Sequence, residues 1–328
     1  MAITLSSDSV PSDTVSSDTV SAARPVDPVA RERRRRLQRR QMLTAAPFVL
    51  PGLLLVLLFV VWPLIKGLQM SLYDWNLPVP SRSEFVGLEN FLRAFTDPTF
   101  WVAARNTALY AIVTVPIQMI LGLFLAVLLN GKLRGRTVFR ALFYLPVVTS
   151  WLVVSFVFAF LFSDGAGPVN FALVDILHIL PEPIPWLHET WPAQVPIMIL
   201  GIWKGVGWNM VIFLAALQSI PNELHEAGVL DGANAWQRFR LITLPLLRPT
   251  FQFVSVVLII GAFNVFLSVY LLTGGGPQGS TEVLLSYMYN QAFTNLDFGY
   301  GITVGLLLGG AVIGFGFLQR RITRGAVD

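Results

Sequence analysis

The chain has 328 residues, of which 54% are hydrophobic and only 13% charged, with a mean hydropathy of +0.64. Soluble domains carry about 25% charged residues, so a water-facing coat is excluded for most of this chain and a bilayer is the solvent that fits. The net charge of +4 arises from local arginine runs and makes no case for nucleic acid, and the absence of cysteine excludes disulfides, thiolate metal sites and thiol catalysis.

Residues 2–30 are rich in Ser, Asp, Thr, Val and Pro and nearly repeat themselves, and a dense basic block follows over 31–40. Such a composition buries no core, so residues 1–46 are expected to be a disordered, basic, cytoplasmic tail. Six apolar runs come next, at about 47–68, 103–129, 141–162, 195–217, 250–272 and 301–318. Each is close to the length that crosses a hydrocarbon core as a helix. Barrel strands need only about 10 alternating residues, which these runs are not. The first run is too long for a signal-peptide core and lacks a cleavage site after it. The expected class is therefore an all-α integral membrane protein of six transmembrane helices. The first helix and its outer loop fill 47–102, a five-helix core fills 103–320, and a short cytoplasmic tail covers 321–328.

The basic residues set the orientation. With the N-terminus inside, 18 of the 23 Lys and Arg fall in cytoplasmic segments, and the loops at 163–194 and 273–299 hold none. The positive-inside rule then puts both termini in the cytoplasm. Trp62, Trp75, Trp101, Trp186 and Trp191 lie near the predicted outer boundaries, as interfacial aromatics do.

The loop between runs four and five, about 218–249, is longer than its cytoplasmic neighbours. Pro221 and Asn222 open a short helix with Glu223 and Glu226 near its positive end. Asp231 and Gly232 close it, because glycine tolerates the left-handed residue that ends a helix. Ala235, Phe239 and Ile242 share one face of a second helix, which Pro245 and Pro249 stop before the fifth run. This predicts a helix–glycine–helix hairpin projecting into the cytoplasm, suited to receive force from a soluble partner.

Glu226-Ala227-Gly228, then Gly232, then Ile242-Thr243-Leu244-Pro245 resemble the EAA motif of binding-protein-dependent ABC importer permeases. Gly228 departs from the family's second Ala, a small-for-small change. The resemblance extends to Phe85-Val86-Gly87-Leu88-Glu89-Asn90-Phe91, Asn106-Thr107, Leu271 to Pro277, Tyr289 to Phe293 and Asp297-Phe298-Gly299, and so covers roughly 45–320. Within the family the chain is similar to the sugar and glycerol-3-phosphate group, on the side of the maltose permease's larger subunit. The resemblance implies a second homologous permease, two ATPase subunits gripping the hairpins, and an extracytoplasmic solute-binding protein, all in a bacterial inner membrane. It implies no bound cofactor, because ATP belongs to the ATPase partners. It also implies a carbohydrate as solute, with glycerol-3-phosphate or a related phosphodiester as the alternative.

Lys204 is the one charge well inside a run, and an ammonium there must face the bundle interior or water, or snorkel to an interface. By the same resemblance, Lys204, Gly205 and Trp208 on the fourth run correspond to sugar-contacting positions. Gly261, Ala262 and Val265 on the fifth do likewise, with Asn264 beside them. An indole face stacks on a sugar ring and an amide bonds hydroxyls. Other chemistry lacks its residues. No P-loop is present, and the Gly-rich stretch from Gly274 to Thr281 has no Lys and reads as a flexible outer loop. His178, His188 and His225 are scattered, which gives no metal site and no catalytic group. An ion-coupled transporter usually carries intramembrane carboxylates and internal repeats, and the six runs contain no acidic residue.

Overall fold

A computed structural model describes residues 47–324 apart from Leu77, Lys132 and Ala166. The expected tail over 1–46 and the last residues 325–328 lie outside the described residues. The chain divides into two units, Met1–Pro63 and Leu64–Asp328. The boundary falls within α1 (Pro47–Met70), an apolar helix with a π turn at Leu57–Val61.

Besides short turns at Pro80–Arg82 and over Pro168–Phe171 and Ala172–Ile176, the helices after α1 are α2 (Glu89–Thr96), α3 (Pro98–Asn130), α4 (Arg136–Val148), α5 (Trp151–Leu161) and α6 (Gln194–Gln218). They continue with α7 (Asn222–Leu230), α8 (Ala235–Leu246), α9 (Arg248–Phe263), α10 (Leu267–Leu272), α11 (Leu284–Tyr289) and α12 (Phe298–Arg324). Among the described residues the only sheet is the two-residue pairing of Tyr73–Asp74 with Glu84–Phe85. Among the described residues, four helices are long and apolar enough to cross a membrane alone: α1, α3, α6 and Phe298–Gln319 of α12. Counting each of two bent pairs as one span raises the number to six.

The first of these bends, and a separate break near Asn264, interrupt two runs that were each expected as one helix. The third run is α4 and α5, bent by 95° at Thr149 and Ser150, both extended. Pro146 removes a helical donor in the last turn, and Thr and Ser then favour caps over helix interior. The fifth run ends as a helix at Phe263, unwinds over Asn264–Phe266 and resumes as α10.

α3 and α6 run parallel and form the spine. Tyr110 and Val115 meet Ile197 and Leu200 near one end, and Ala126 and Leu129 meet Met210, Phe213 and Leu217 near the other. Lipid is as apolar as these side chains, so close packing rather than hydrophobic transfer holds such helices together. Gly122 permits it, since a Cβ there would lie 2.5 Å from Asn209 Cβ.

The end of the bundle where α3 and α6 begin is tied by polar bonds. Asn106 Nδ2 donates to the carbonyls of Ser280 (2.7 Å) and Glu282 (2.9 Å), and Leu284 N donates to Thr107 Oγ1 at 2.9 Å. The stretch from Gly274 to Thr281, expected to be flexible, is a hydrogen-bonded turn. Thr281 N donates to Gly275 O, and the Thr281 hydroxyl meets Gly276 O and Thr273 Oγ1. Glu282 is buried beneath it, its carboxylate held by Ser286 and Asn290, and burial raises its pKa. Asn90 donates to the carbonyls of Ser71 and Tyr73.

Asp97 caps α3 through Thr99 N and also accepts from the hydroxyls of Tyr287 and Tyr300, while Arg93 pairs with Asp297 at 2.6 Å and lies 4.0 Å from the Tyr300 ring. Burial pushes the Asp97 carboxyl up, but the two tyrosine hydroxyls and the Thr99 and Phe100 N–H groups outweigh it and hold the pKa below the usual carboxylate value. A depressed acid contributes stability above its unfolded pKa of about 3.9 and loses it as the pH falls through the folded value. Thermal unfolding followed from about pH 5 down to about pH 2 is expected to show this acid loss. Asp97→Asn should start lower and follow a flatter acid limb. An equal slope in the two proteins would show that Asp97 does not carry it.

Candidate functional site: a central cavity and a terminal hairpin

A cavity of about 660 Å³ lies midway along the spine, lined from α3, the α4–α5 break, α6, α9, the Asn264–Phe266 break and α10. Lys204, Gly205, Trp208, Gly261, Ala262, Asn264 and Val265 all line it. They do not contribute alike. Ala262 and Val265 are mostly buried in the adjoining apolar cluster. Gly261 has open space where a Cβ would stand. Trp208 is half-buried with its ring 6.5 Å from that of Phe253, and Asn264 donates to Ile260 O at 2.7 Å. The Lys204 ammonium is engaged by backbone, donating to Thr149 O (2.6 Å), Pro146 O (2.9 Å) and Val147 O (3.4 Å).

The sequence reading missed one wall. Tyr110, Thr114 and Gln118 of α3 face the cavity, and their spacing of four was legible as a polar stripe on a helix face within an apolar run. Gln118 Oε1 accepts from Asn209 at 3.4 Å. Ser268, in α10, lines the cavity with a buried hydroxyl that has no protein partner. Among the described lining residues there is one cation, Lys204, and no carboxylate.

At the far end of the spine α7 and α8 form the hairpin. α7 closes with a Schellman turn: Ala233 N donates to Gly228 O (2.9 Å), Gly232 N donates to Val229 O (3.0 Å), and Gly232 sits at φ +78° after Asp231. Asn234 and Gln237 open α8 with a reciprocal capping box. Gly228 is buried against α8, where an added Cβ would stand 2.9 Å from Ile242 Cδ1. Its departure from the motif's alanine therefore fits a tight contact between the two arms. Glu226, Ala227 and Leu244 are exposed, Pro245 is half-buried in the last turn of α8, and α9 leaves at 62°. Leu230 is 88% exposed and Trp236 66%, an apolar surface at the hairpin tip.

This fold and its hairpin define the membrane component of a binding-protein-dependent transporter. The family described as "Binding-protein-dependent transport system inner membrane component" matches residues 118–327, and the chain belongs to it. It is 38% identical over 276 residues to the lactose transport system permease protein LacF of Rhizobium radiobacter, covering 83% of this chain and 91% of LacF. It is 34% identical to the trehalose/maltose transport system permease protein MalF of Thermococcus litoralis, over 84% and 92% of the two chains. A crystal structure of a bacterial ABC transporter that imports the acidic polysaccharide alginate contains a chain of the same fold. Its TM-score is 0.77 at 23% identity, covering 89% of this chain and all of that one.

Proposed function

We propose that this permease imports a neutral carbohydrate, handed over by an extracytoplasmic binding protein, through a path completed by a second homologous permease. The observation that carries this reading is the cavity, where Trp208 offers a stacking face and the Asn264 and Gln118 amides offer hydroxyl partners. The names of the lactose and trehalose/maltose relatives point the same way. A phosphorylated solute fits less well, because the cavity's one cation spends its donors on carbonyls. Lys204, Gly205, Trp208, Gly261, Ala262, Asn264 and Val265 belong to the solute path on this reading. The hairpin receives an ATPase subunit through Glu226, Ala227, Gly228, Asp231, Gly232, Ile242, Leu244 and Pro245. Two ATPases closing on ATP would tilt the paired bundles, and hydrolysis would reset them. The permease itself catalyses no covalent step. The test is reconstitution of the complete transporter in proteoliposomes, with uptake of labelled di- and oligosaccharides set against glycerol-3-phosphate. ATP-dependent uptake of only the phosphorylated solute would refute the neutral-carbohydrate reading.

The proposed topology puts the hairpin end in the cytoplasm, where Arg134, Arg136, Arg140, Arg238, Arg240 and Arg248 gather. In this cysteine-free chain, Ser280→Cys is expected to react with an impermeant maleimide in intact cells. Asn234→Cys should react only after permeabilisation. Labelling of both from outside would overturn the arrangement.

A further inference from the structure

The break between α4 and α5 creates an electrostatic problem whose solution is Lys204. Ending a helix leaves its last carbonyls without intrahelical donors, and inside a membrane-crossing bundle they must find partners in the protein or in a cavity they line. Pro146 and Val147 carry two of these carbonyls, on which the aligned peptides of the 13-residue α4 concentrate negative partial charge, and the extended Thr149 adds a third just beyond the helix. Of the three, Pro146 O also accepts from the Thr149 N–H and hydroxyl. The Lys204 ammonium carries three donors and has three carbonyls within reach, at 2.6, 2.9 and 3.4 Å. Lys204 is only 6% exposed, and its Nζ lies 5.0 Å from the ring centre of Trp151, the first residue of α5. One turn further along α6, Gly207 lets the helices touch, since a Cβ there would stand 2.1 Å from Phe143 O. The break is thus held from α6 at two successive turns.

We infer that Lys204 is a positioning residue that caps the broken end of α4, so that its charge fixes the bend in the cavity wall instead of binding solute. The ammonium faces the bundle interior, and the departure is from the solute-contacting role that the resemblance implies. Capping also reverses a stability expectation: removing a buried charge should help a membrane helix, but removing this one takes the charged donor from the Val147 and Thr149 carbonyls and leaves Pro146 O only the Thr149 N–H and hydroxyl. The inference deepens the permease reading without depending on which solute is carried.

Distance measurement across the break tests it without any solute. Phe139→Cys on α4 and Phe156→Cys on α5, both at exposed side chains, take nitroxide labels in the cysteine-free full chain, held in nanodiscs with its co-purified partner subunits. A single narrow distance distribution is expected with Lys204, and its loss to a broad one in Lys204→Met. Lys204→Gln, a milder neutral change, should broaden it as well and serves if the Met variant does not accumulate. Lys204→Arg keeps a cation with several donors and is expected to retain the narrow peak. A wild-type distribution in the neutral variants would overturn the inference. So would a distribution in Lys204→Arg as broad as in Lys204→Met, since charge-assisted donation would then not be what holds the bend.

Discussion

Gly232→Trp is expected to abolish transport and weaken ATPase association while leaving normal amounts of the chain in the membrane. The cause is backbone strain. Nothing lies within 4 Å of a Cβ built at Gly232, so the indole meets no obstacle there, but φ is +78°. A residue with a side chain costs about 1–2 kcal/mol in that region, and a short hairpin relieves the strain by re-aiming α8 relative to α7. Asn tolerates the left-handed region far better, so Gly232→Asn should keep most transport. Uptake in proteoliposomes and co-purification of the ATPase subunits give both readings. If the Trp variant transports normally, the turn does not set the docking geometry. If Asn and Trp fail equally, a steric cause must replace the conformational one.

Gly261→Trp should bring uptake down to background for a different reason. Gly261 faces the cavity with open space at its Cβ position, so an indole enters the void rather than displacing packed neighbours. Membrane levels, thermal stability and basal ATPase activity should stay near wild type while solute passage stops. Gly205 makes the contrast. A Cβ there would stand 1.9 Å from Gln118 Oε1, so bulky substitutions at 205 should lower stability as well as transport. Full uptake by a stably folded Gly261→Trp would remove the cavity from the solute path.

The amino-acid sequence determined which stretches leave water and where the hairpin turns. Both depend on local, additive properties: twenty-odd apolar residues in a row and a glycine placed where a helix must end. α3 and α6 differ from the expected runs only at their ends, and α7 closes at Asp231 and Gly232 as the residue types dictate. The tertiary structure alone decided what happens inside the apolar runs. A fully apolar window carries no periodic signal, so the unwinding at Asn264–Phe266 and the 95° bend at Thr149 and Ser150 left only faint marks, chiefly Pro146. The Tyr110, Thr114 and Gln118 stripe was readable as a helix face, yet nothing local said which helix it would meet. Lys204 is the sharpest case. Its sequence context shows an expensive charge in an apolar run. Which partners offset that cost depends on carbonyls more than fifty residues earlier in the chain, which only packing of α6 against α4 brings within 2.6–3.4 Å.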